Sequence, residues 1–180
     1  RQRPGRRIDP PGLQPMLPLP QVVDVPVPLE AGQDPRDVSV ARLSWVWPEG
    51  ISLEESLLGE LVDLLLLGHA GAPMRLALES SGLGRALSGS GYLTIGRNGV
   101  FGLGLKGLDP QDATAMEVLI MDCLEQVAAA GIPASEVEAA LHQLELARRS
   151  ISGDRWPFGL ELAMRATEAW LFDQDPLGFL

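Results

Sequence analysis

The stretch GYLTIGRNGVFGLGLKGL, residues 91–108, predicts a β-hairpin. Gly91–Arg97 and Val100–Leu108 are the two predicted strands, and Asn98-Gly99 between them supplies the two positive φ angles of a type I′ turn. Since a two-residue turn joins antiparallel neighbours, this stretch predicts an antiparallel sheet.

Two helices are predicted before the hairpin. The first follows a capping box at Ser52–Glu55 and runs to Leu67, where Gly68 is available as a left-handed C-cap. Pro73 opens a second, short helix that closes at Gly82. The inward stripe of the first helix is predicted to consist of Leu57, Leu58, Leu61, Leu64 and Leu65.

Three helices are predicted after the hairpin. The first begins at Asp109-Pro110 and ends at Gly131, the second runs from a capping box at Ser135–Glu138 through Ala147, and the third spans Pro157–Phe172. The inward stripe of the first is predicted to be Met116, Leu119, Ile120, Cys123, Leu124 and Val127. That of the third is predicted to be Leu160, Ala163, Met164 and Leu171.

Proline divides the chain into two parts. Nine of the 15 prolines lie within the first 35 residues, so residues 1–37 are predicted to be an extended arm or linker, with Gln21–Val27 as a candidate edge strand. Residues 38–180 are predicted to form one domain that begins with a strand at Val38–Trp47. Because the helices are segregated from the strands, the fold class is α+β, an antiparallel sheet packed by helices.

The charge of the chain disfavours nucleic acid as a partner. The net charge is −10, and the arm holds equal numbers of basic and acidic residues, so residues 38–180 carry the whole excess. A phosphate backbone would be repelled by such a body. The longest apolar run, Leu61–Leu67, contains Asp63 and is far shorter than a membrane span, so no membrane partner is expected. The lone cysteine, Cys123, is compatible with a reducing cytoplasm, the predicted compartment, and an organelle lumen stays open.

Neither histidine predicts a metal or catalytic site. His142 lies on a helix with Glu138, Glu145 and Arg149 at spacings that form one exposed polar stripe. His69 follows a helix end, where a cation meets the negative end of the helix dipole. Zinc catalysis needs about three protein ligands, so no catalytic, cofactor-binding or metal-binding residue is predicted.

The remaining motifs have structural interpretations. Gly102–Gly107 matches G-x-G-x-x-G, but it lies inside a predicted strand rather than before a helix, so close packing by a neighbouring backbone is expected instead of phosphate binding. Ser80-Ser81 and Ser88-Gly89-Ser90 lack the glycine pattern of a nucleophile elbow. Cys123 lies on an inward stripe, which is typical of a buried structural thiol.

Three separated stretches resemble the second domain of the pitrilysin-type zinc metallopeptidases, in particular the presequence-protease branch. They are Ala72–Gly84 within the stretch Leu64–Tyr92, then Gly131–Glu145, and finally Trp170 with Asp173-x-Asp175-Pro176, and the likeness extends over Leu17–Leu180. Ala72 and Met74 are mild departures from that pattern. The zinc-binding H-x-x-E-H motif of the family is absent, because His142-Gln143-Leu144-Glu145 is followed by Leu146.

The resemblance implies a non-catalytic domain of a longer zinc metalloendopeptidase that degrades short unstructured peptides. Enzymes of this family close two halves around the peptide, and zinc lies in the first domain. The implied partners are the zinc-bearing domain of the same protein and a peptide in the shared chamber, and the isolated chain is expected to self-associate. No catalytic residue carries over to any position here.

Two alternatives remain open. The chain is similar to the inactive partners of two-chain members of the family, which would make it a free-standing structural subunit. The glycine-rich strand leaves a small-molecule binding module as a further possibility.

Overall fold

An antiparallel sheet with helices packed on it forms the fold, as the sequence predicts. The structure, a computed structural model, describes residues 12–47, 52–89, 91–95, 97–149, 157–172 and 175–178. The strands are β1 (Val40–Trp47), β2 (Ala86–Leu87), β3 (Gly91–Ile95) and β4 (Asn98–Lys106). The helices are α1 (Leu53–Leu67), α2 (Pro73–Ser80), α3 (Ala113–Ala130), α4 (Ala134–Arg149) and α5 (Phe158–Leu171).

Strand β4 is the centre of the sheet. It pairs antiparallel with β1 along one edge, with Val40 opposite Lys106 and Trp47 opposite Gly99. Along its other edge it pairs with β3 and with the two-residue β2, which the sequence did not predict. β1 pairs with β4 alone among the described strands and therefore lies at an edge of the sheet.

The core lies on one face of β4. Phe101, Leu103 and Leu105 point to this face and are at most 5% exposed, as their alternation with glycine predicts. Leu108, just after β4, belongs to the same core, and the helices contribute Leu66, Leu67, Met74, Leu78, Met116, Ile120 and Cys123. The predicted stripe of α3 is confirmed, since Leu119, Leu124 and Val127 also pack against this cluster.

The predicted turn at Asn98-Gly99 is wrong. Asn98 pairs with Ile95, so both residues of the dipeptide lie within β4. A methyl group at Gly99 would lie 2.7 Å from the ring of Tyr92, whose ring also packs on Gly59 of α1 and edge-on to Trp47. Glycine is thus required at position 99 for space rather than for a positive φ angle.

The orientation of α1 differs from the prediction. Leu58 is 47% exposed, whereas Gly59, Leu66 and Leu67 are buried and Val62 packs against the core, so the inward face of α1 is turned away from Leu58. Gly68 has φ −64° and so is not a left-handed cap.

Helix α4 begins earlier than predicted. Its first turn is closed by the carbonyl of Pro133, which accepts the N–H groups of Glu136 and Val137. Ser135 therefore lies inside the helix and the predicted capping box does not form.

The inward face assigned to α5 is also wrong. Met164 is 62% exposed, while Ala169 and Phe172 are the buried residues at the end of this helix. The hydroxyl of Thr167 donates to the carbonyl of Ala163 at 2.6 Å, the bond to the preceding turn that its position allows.

The arm has no strand or α-helix over its described residues 12–34, and it ends in a short 3-10 helix, Pro35–Asp37, which the prediction of an extended arm missed. Gln21–Val27 forms no strand, and Val22 is 90% exposed. The arm meets the sheet at Gln14, whose N–H donates to Asn98 Oδ1 at 2.7 Å. Its end is held by the ion pair of Arg36 with Asp109, 2.6 Å between Nη2 and Oδ2. Residues 1–11 of the predicted arm lie outside the described residues.

Candidate functional site

The two histidines lie on different elements. His142 is exposed on α4 beside an ion pair between Arg149 Nη2 and Glu145 Oε1 at 2.8 Å, and His69 is exposed in the turn after α1. Across the described parts of the chain, no group of three or more His, Cys, Asp and Glu residues could hold a metal ion. These residues do not fit a zinc site.

Cys123 is a structural residue of the core. It is 8% exposed within the cluster that also contains Met116 and Ile120. Burial raises the pKa of its thiol, so the reactive thiolate is disfavoured. This arrangement agrees with the structural interpretation of its sequence position.

The glycines of the G-x-G-x-x-G motif allow close approach between β4 and β1. An added methyl group at Gly104 would collide with the carbonyl oxygen of Ala41 and lie 2.8 Å from the Cα of Arg42. At Gly102 it would collide with the guanidinium of Arg42. Both glycines thus lie in the paired strand β4, one against the backbone of β1 and the other under the Arg42 side chain, and not in the strand-to-helix turn that a phosphate-binding loop requires.

The serine pairs have structural contacts too. The hydroxyl of Ser80 donates to the carbonyl of Leu76 at 2.6 Å, and that of Ser81 donates to Leu78 at 2.8 Å. Both hydroxyls thus satisfy carbonyl groups at the end of α2. Ser88 is buried, and Ser90 lies outside the described residues.

The arm is rich in exposed apolar side chains. Over residues 13–29 it carries nine exposed large apolar side chains, namely Leu13, Met16, Leu17, Leu19, Val22, Val23, Val25, Val27 and Leu29. Large exposed apolar patches are typical of interaction surfaces.

A second apolar surface lies between α1 and α4. Leu57, Leu58 and Leu61 of α1 face Leu141 and Leu144 of α4 across a groove of about 380 Å³. The ion pair between Arg148 Nη2 and Glu60 Oε1, at 2.7 Å, joins the same two helices. The sequence placed Leu57, Leu58 and Leu61 in the core, so this groove was missed, because periodicity alone does not tell which element a stripe faces.

One smaller cleft was also missed. It is lined by Asp63, Leu64, Leu67, Gly68, Leu87 and Ser88 and has a volume of about 270 Å³. The sequence signal for it was the charge of Asp63 inside the leucine run.

Among the described residues, no helix is long and apolar enough to cross a membrane.

Comparison with known proteins identifies the family. Residues 9–144 match the family described as the peptidase M16 inactive domain. The presequence protease 1 of Arabidopsis thaliana, chloroplastic and mitochondrial, is 34% identical over 74% of this chain. The mitochondrial presequence protease of Aspergillus oryzae is 30% identical over 88% of the chain. The chain spans only 12% and 15% of the lengths of these relatives.

A solved structure supports the fold. The crystal structure of a candidate zinc protease from Bordetella pertussis Tohama I superposes with a TM-score of 0.55 at 18% identity, covering 78% of this chain and 74% of that one. The match over residues 9–144 covers most of the chain, and the chain therefore belongs to the peptidase M16 family, in which it corresponds to the inactive domain.

Proposed function

We propose that this chain is the non-catalytic second domain of a zinc metalloendopeptidase that degrades short unstructured peptides. Its task is to brace the zinc-bearing domain of the same protein and to form part of the wall of the peptide chamber. The observation that carries this proposal is the match of residues 9–144 to an inactive peptidase domain. The lack of a metal-ligand group among the described residues supports the assignment of zinc to another domain.

The exposed arm supports the bracing role. Its valines and leucines are largely exposed, although burying one such side chain is worth about 1.5–3 kcal/mol. An adjoining domain that covered the arm would recover this free energy. The same surface accounts for the expected self-association of the isolated chain.

The charge of the chain supports peptide substrates that are basic. The relatives are named presequence proteases, and the targeting segments of mitochondrial and chloroplast proteins are rich in arginine and poor in acidic residues. A net charge of −10 attracts such peptides to the chamber. The mitochondrial and chloroplastic descriptions of the relatives also support an organelle lumen over the cytoplasm as the compartment.

The test combines activity and binding. The chain alone, with or without added zinc, should not cleave a fluorogenic peptide. It should bind the separately expressed zinc-bearing domain of the same protein, measured by calorimetry, and the combination should bind a basic peptide more tightly than the zinc-bearing domain alone.

A matched variant tests the surface involved. Replacing Val22, Val23 and Val25 by Ser should weaken binding to the zinc-bearing domain, whereas the same change at the exposed Val118 on α3 should not. Zinc-dependent cleavage by the chain alone would overturn the proposal. Failure of the two parts to bind would instead favour a free-standing inactive subunit.

A further inference from the structure

A cleft opens beside the last turns of α1. Its walls are Leu64 and Leu67 of α1 and Leu87 of β2, and its polar groups come from Asp63 and Ser88. The volume of about 270 Å³ is just below the range of about 300–1,000 Å³ for pockets of drug-sized ligands. The cleft therefore suits a very small ligand or a single side chain.

The carboxylate of Asp63 is held in place by the start of β3. The backbone N–H of Tyr92 donates a hydrogen bond to it. Gly91 has φ +112°, and a methyl group there would lie 2.6 Å from Asp63 Oδ1, so only glycine permits this approach. A carboxylate offers about four acceptor positions, so most of its capacity remains after the Tyr92 bond.

Asp63 has no cationic partner among the described residues. The ion pairs found there include Glu60, one turn earlier on α1, which binds Arg148, but they do not include Asp63. Burial raises the pKa of Asp63, and the charge of Glu60 raises it further, against the lowering effect of the Tyr92 hydrogen bond. A half-buried carboxylate without a counter-charge is costly to the folded state.

We propose that this cleft binds an alkylammonium or guanidinium group, with the cation on Asp63 and its aliphatic stem against Leu64, Leu67 and Leu87. A neutral apolar ligand would desolvate the carboxylate further, and an anion would be repelled by it. Cationic side chains bury their methylene stems along apolar surface while the charged end meets a polar group.

Two sources carry this chemistry, the Lys or Arg side chain of a peptide and a free small amine. The peptide source rests on the proposed function, because it places the cleft on the wall of the peptide chamber. The cation-binding property itself does not rest on it.

The first experiment uses a pair of small probes. Titration of the protein with n-pentylammonium should shift the NMR amide resonances of Gly91 and Tyr92, and the neutral n-pentanol should not. Asp63→Asn should weaken n-pentylammonium binding about tenfold or more, since hydrogen bonds to charged groups contribute about 1.5–3 kcal/mol. Glu60→Gln removes the same charge outside the cleft and should leave the affinity within about twofold.

The outcomes of this experiment are decisive. Equal shifts with n-pentanol, or an affinity unchanged by Asp63→Asn, would overturn the proposal. If Asp63→Asn does not fold, the carboxyl carbon resonance of Asp63 in the unsubstituted protein is read instead, and its failure to move with n-pentylammonium overturns the proposal as well.

A second experiment separates the two sources. Two peptides that differ only by Lys against norleucine are compared on the protein with its zinc-bearing domain. A Lys preference that Asp63→Asn abolishes assigns the cleft to a peptide side chain. Binding of n-pentylammonium without that preference assigns it to a free amine. If no peptide binds while n-pentylammonium does, the proposed function fails and the cleft stands. If peptides bind but n-pentylammonium does not, the cleft proposal fails and the proposed function stands.

Discussion

Glu55 accepts a hydrogen bond from the indole Nε1 of Trp47 at 2.6 Å. Its backbone N–H donates the expected hydrogen bond to Ser52 Oγ at 3.1 Å, so the predicted capping box forms on one side. The carboxylate, which a complete box would turn back to Ser52, instead joins the first turn of α1 to the end of the edge strand β1. One side chain thus connects helix and sheet on either side of residues 48–51.

Removing this link should lower stability. Glu55→Ala is expected to reduce the free energy of unfolding by about 1.5–3 kcal/mol, the usual contribution of a hydrogen bond to a charged group. Glu54→Ala removes a neighbouring first-turn carboxylate and controls for the helix dipole, so it should cost less than about 1 kcal/mol. Urea unfolding followed by tryptophan fluorescence measures both. Equal losses in the two variants would show that the Trp47 contact contributes nothing.

The glycines of β4 should differ in their tolerance of a methyl group. Gly104→Ala would push against the backbone of β1 at Ala41, and overpacking of this kind costs about 1–3 kcal/mol. Gly102→Ala meets the flexible end of the Arg42 side chain, which can move aside, so its cost should be below about 1 kcal/mol. Thermal unfolding of the two variants tests this order, and a larger loss at Gly102 would contradict the register of β1 on β4.

Two apolar residues that both lie on predicted inward stripes should behave differently. Ile120 is fully buried, so Ile120→Ala should cost about 2–5 kcal/mol. Leu61 lines the open groove between α1 and α4, so Leu61→Ala should cost less, about 1–2 kcal/mol. Urea unfolding measures both. A Leu61→Ala loss as large as that of Ile120→Ala would place α1 deeper in the core than the structure does.

The fold class followed from the sequence because alternation in β4 and the stripe of α3 are long, regular patterns. The stripe of α1 did not, since residues 57–67 carry leucine on nearly every side and the positions of β3, α2 and α4 decide together which side is covered. The turn predicted at Asn98-Gly99 was wrong for a related reason. A local turn preference gave way to the packing of the Tyr92 ring, which no neighbouring residue in sequence reveals.

The missing zinc motif leads to the prediction of no catalytic residue, whereas the Asp63 cleft could be found only in three dimensions. Asp63 was visible in the sequence only as an interruption of an apolar run. Its surroundings come from β2 and β3, more than twenty residues further along the chain. Sequence spacing on α1 could not show that Gly91 and Tyr92 meet this carboxylate.

Asp63 should make stability depend on pH. Its pKa is raised in the folded state above the ordinary value of 3.8, so the folded protein holds the proton to higher pH than the unfolded chain. The stability contributed by the protonated form is therefore fully present below the unfolded pKa and is lost as pH rises through the folded one. Asp63→Asn removes this loss while keeping an oxygen for the Tyr92 N–H.

The measurement is the difference in unfolding free energy between Asp63→Asn and the unsubstituted protein. The unfolding free energy of Asp63→Asn, taken relative to that of the unsubstituted protein, should increase as pH rises from about 3 to 7. Glu60→Gln provides the comparison, because Glu60 has Arg148 as a counter-charge. A difference that stays constant with pH would show that the carboxylate is solvated in the folded state.

The arm should drive association of the isolated chain. Val22, Val23 and Val25 are 90%, 74% and 74% exposed on a segment whose prolines keep it extended, so it cannot bury them against itself. Exposed apolar side chains of this kind pair with the same segment of another copy when no adjoining domain covers them.

Changing the three valines to Ser should shift the mass measured by light scattering toward the monomer and lower the binding of a hydrophobic dye. Changing the exposed Val118 and Met121 of α3 to Ser removes apolar surface outside the arm and should alter neither reading. The arm changes leave the Gln14 contact with Asn98 untouched, so the attachment of the arm to the sheet is expected to persist in the variant. A chain that stays monomeric across the whole concentration range, with or without the three valines, would contradict a covering role for the neighbouring domain.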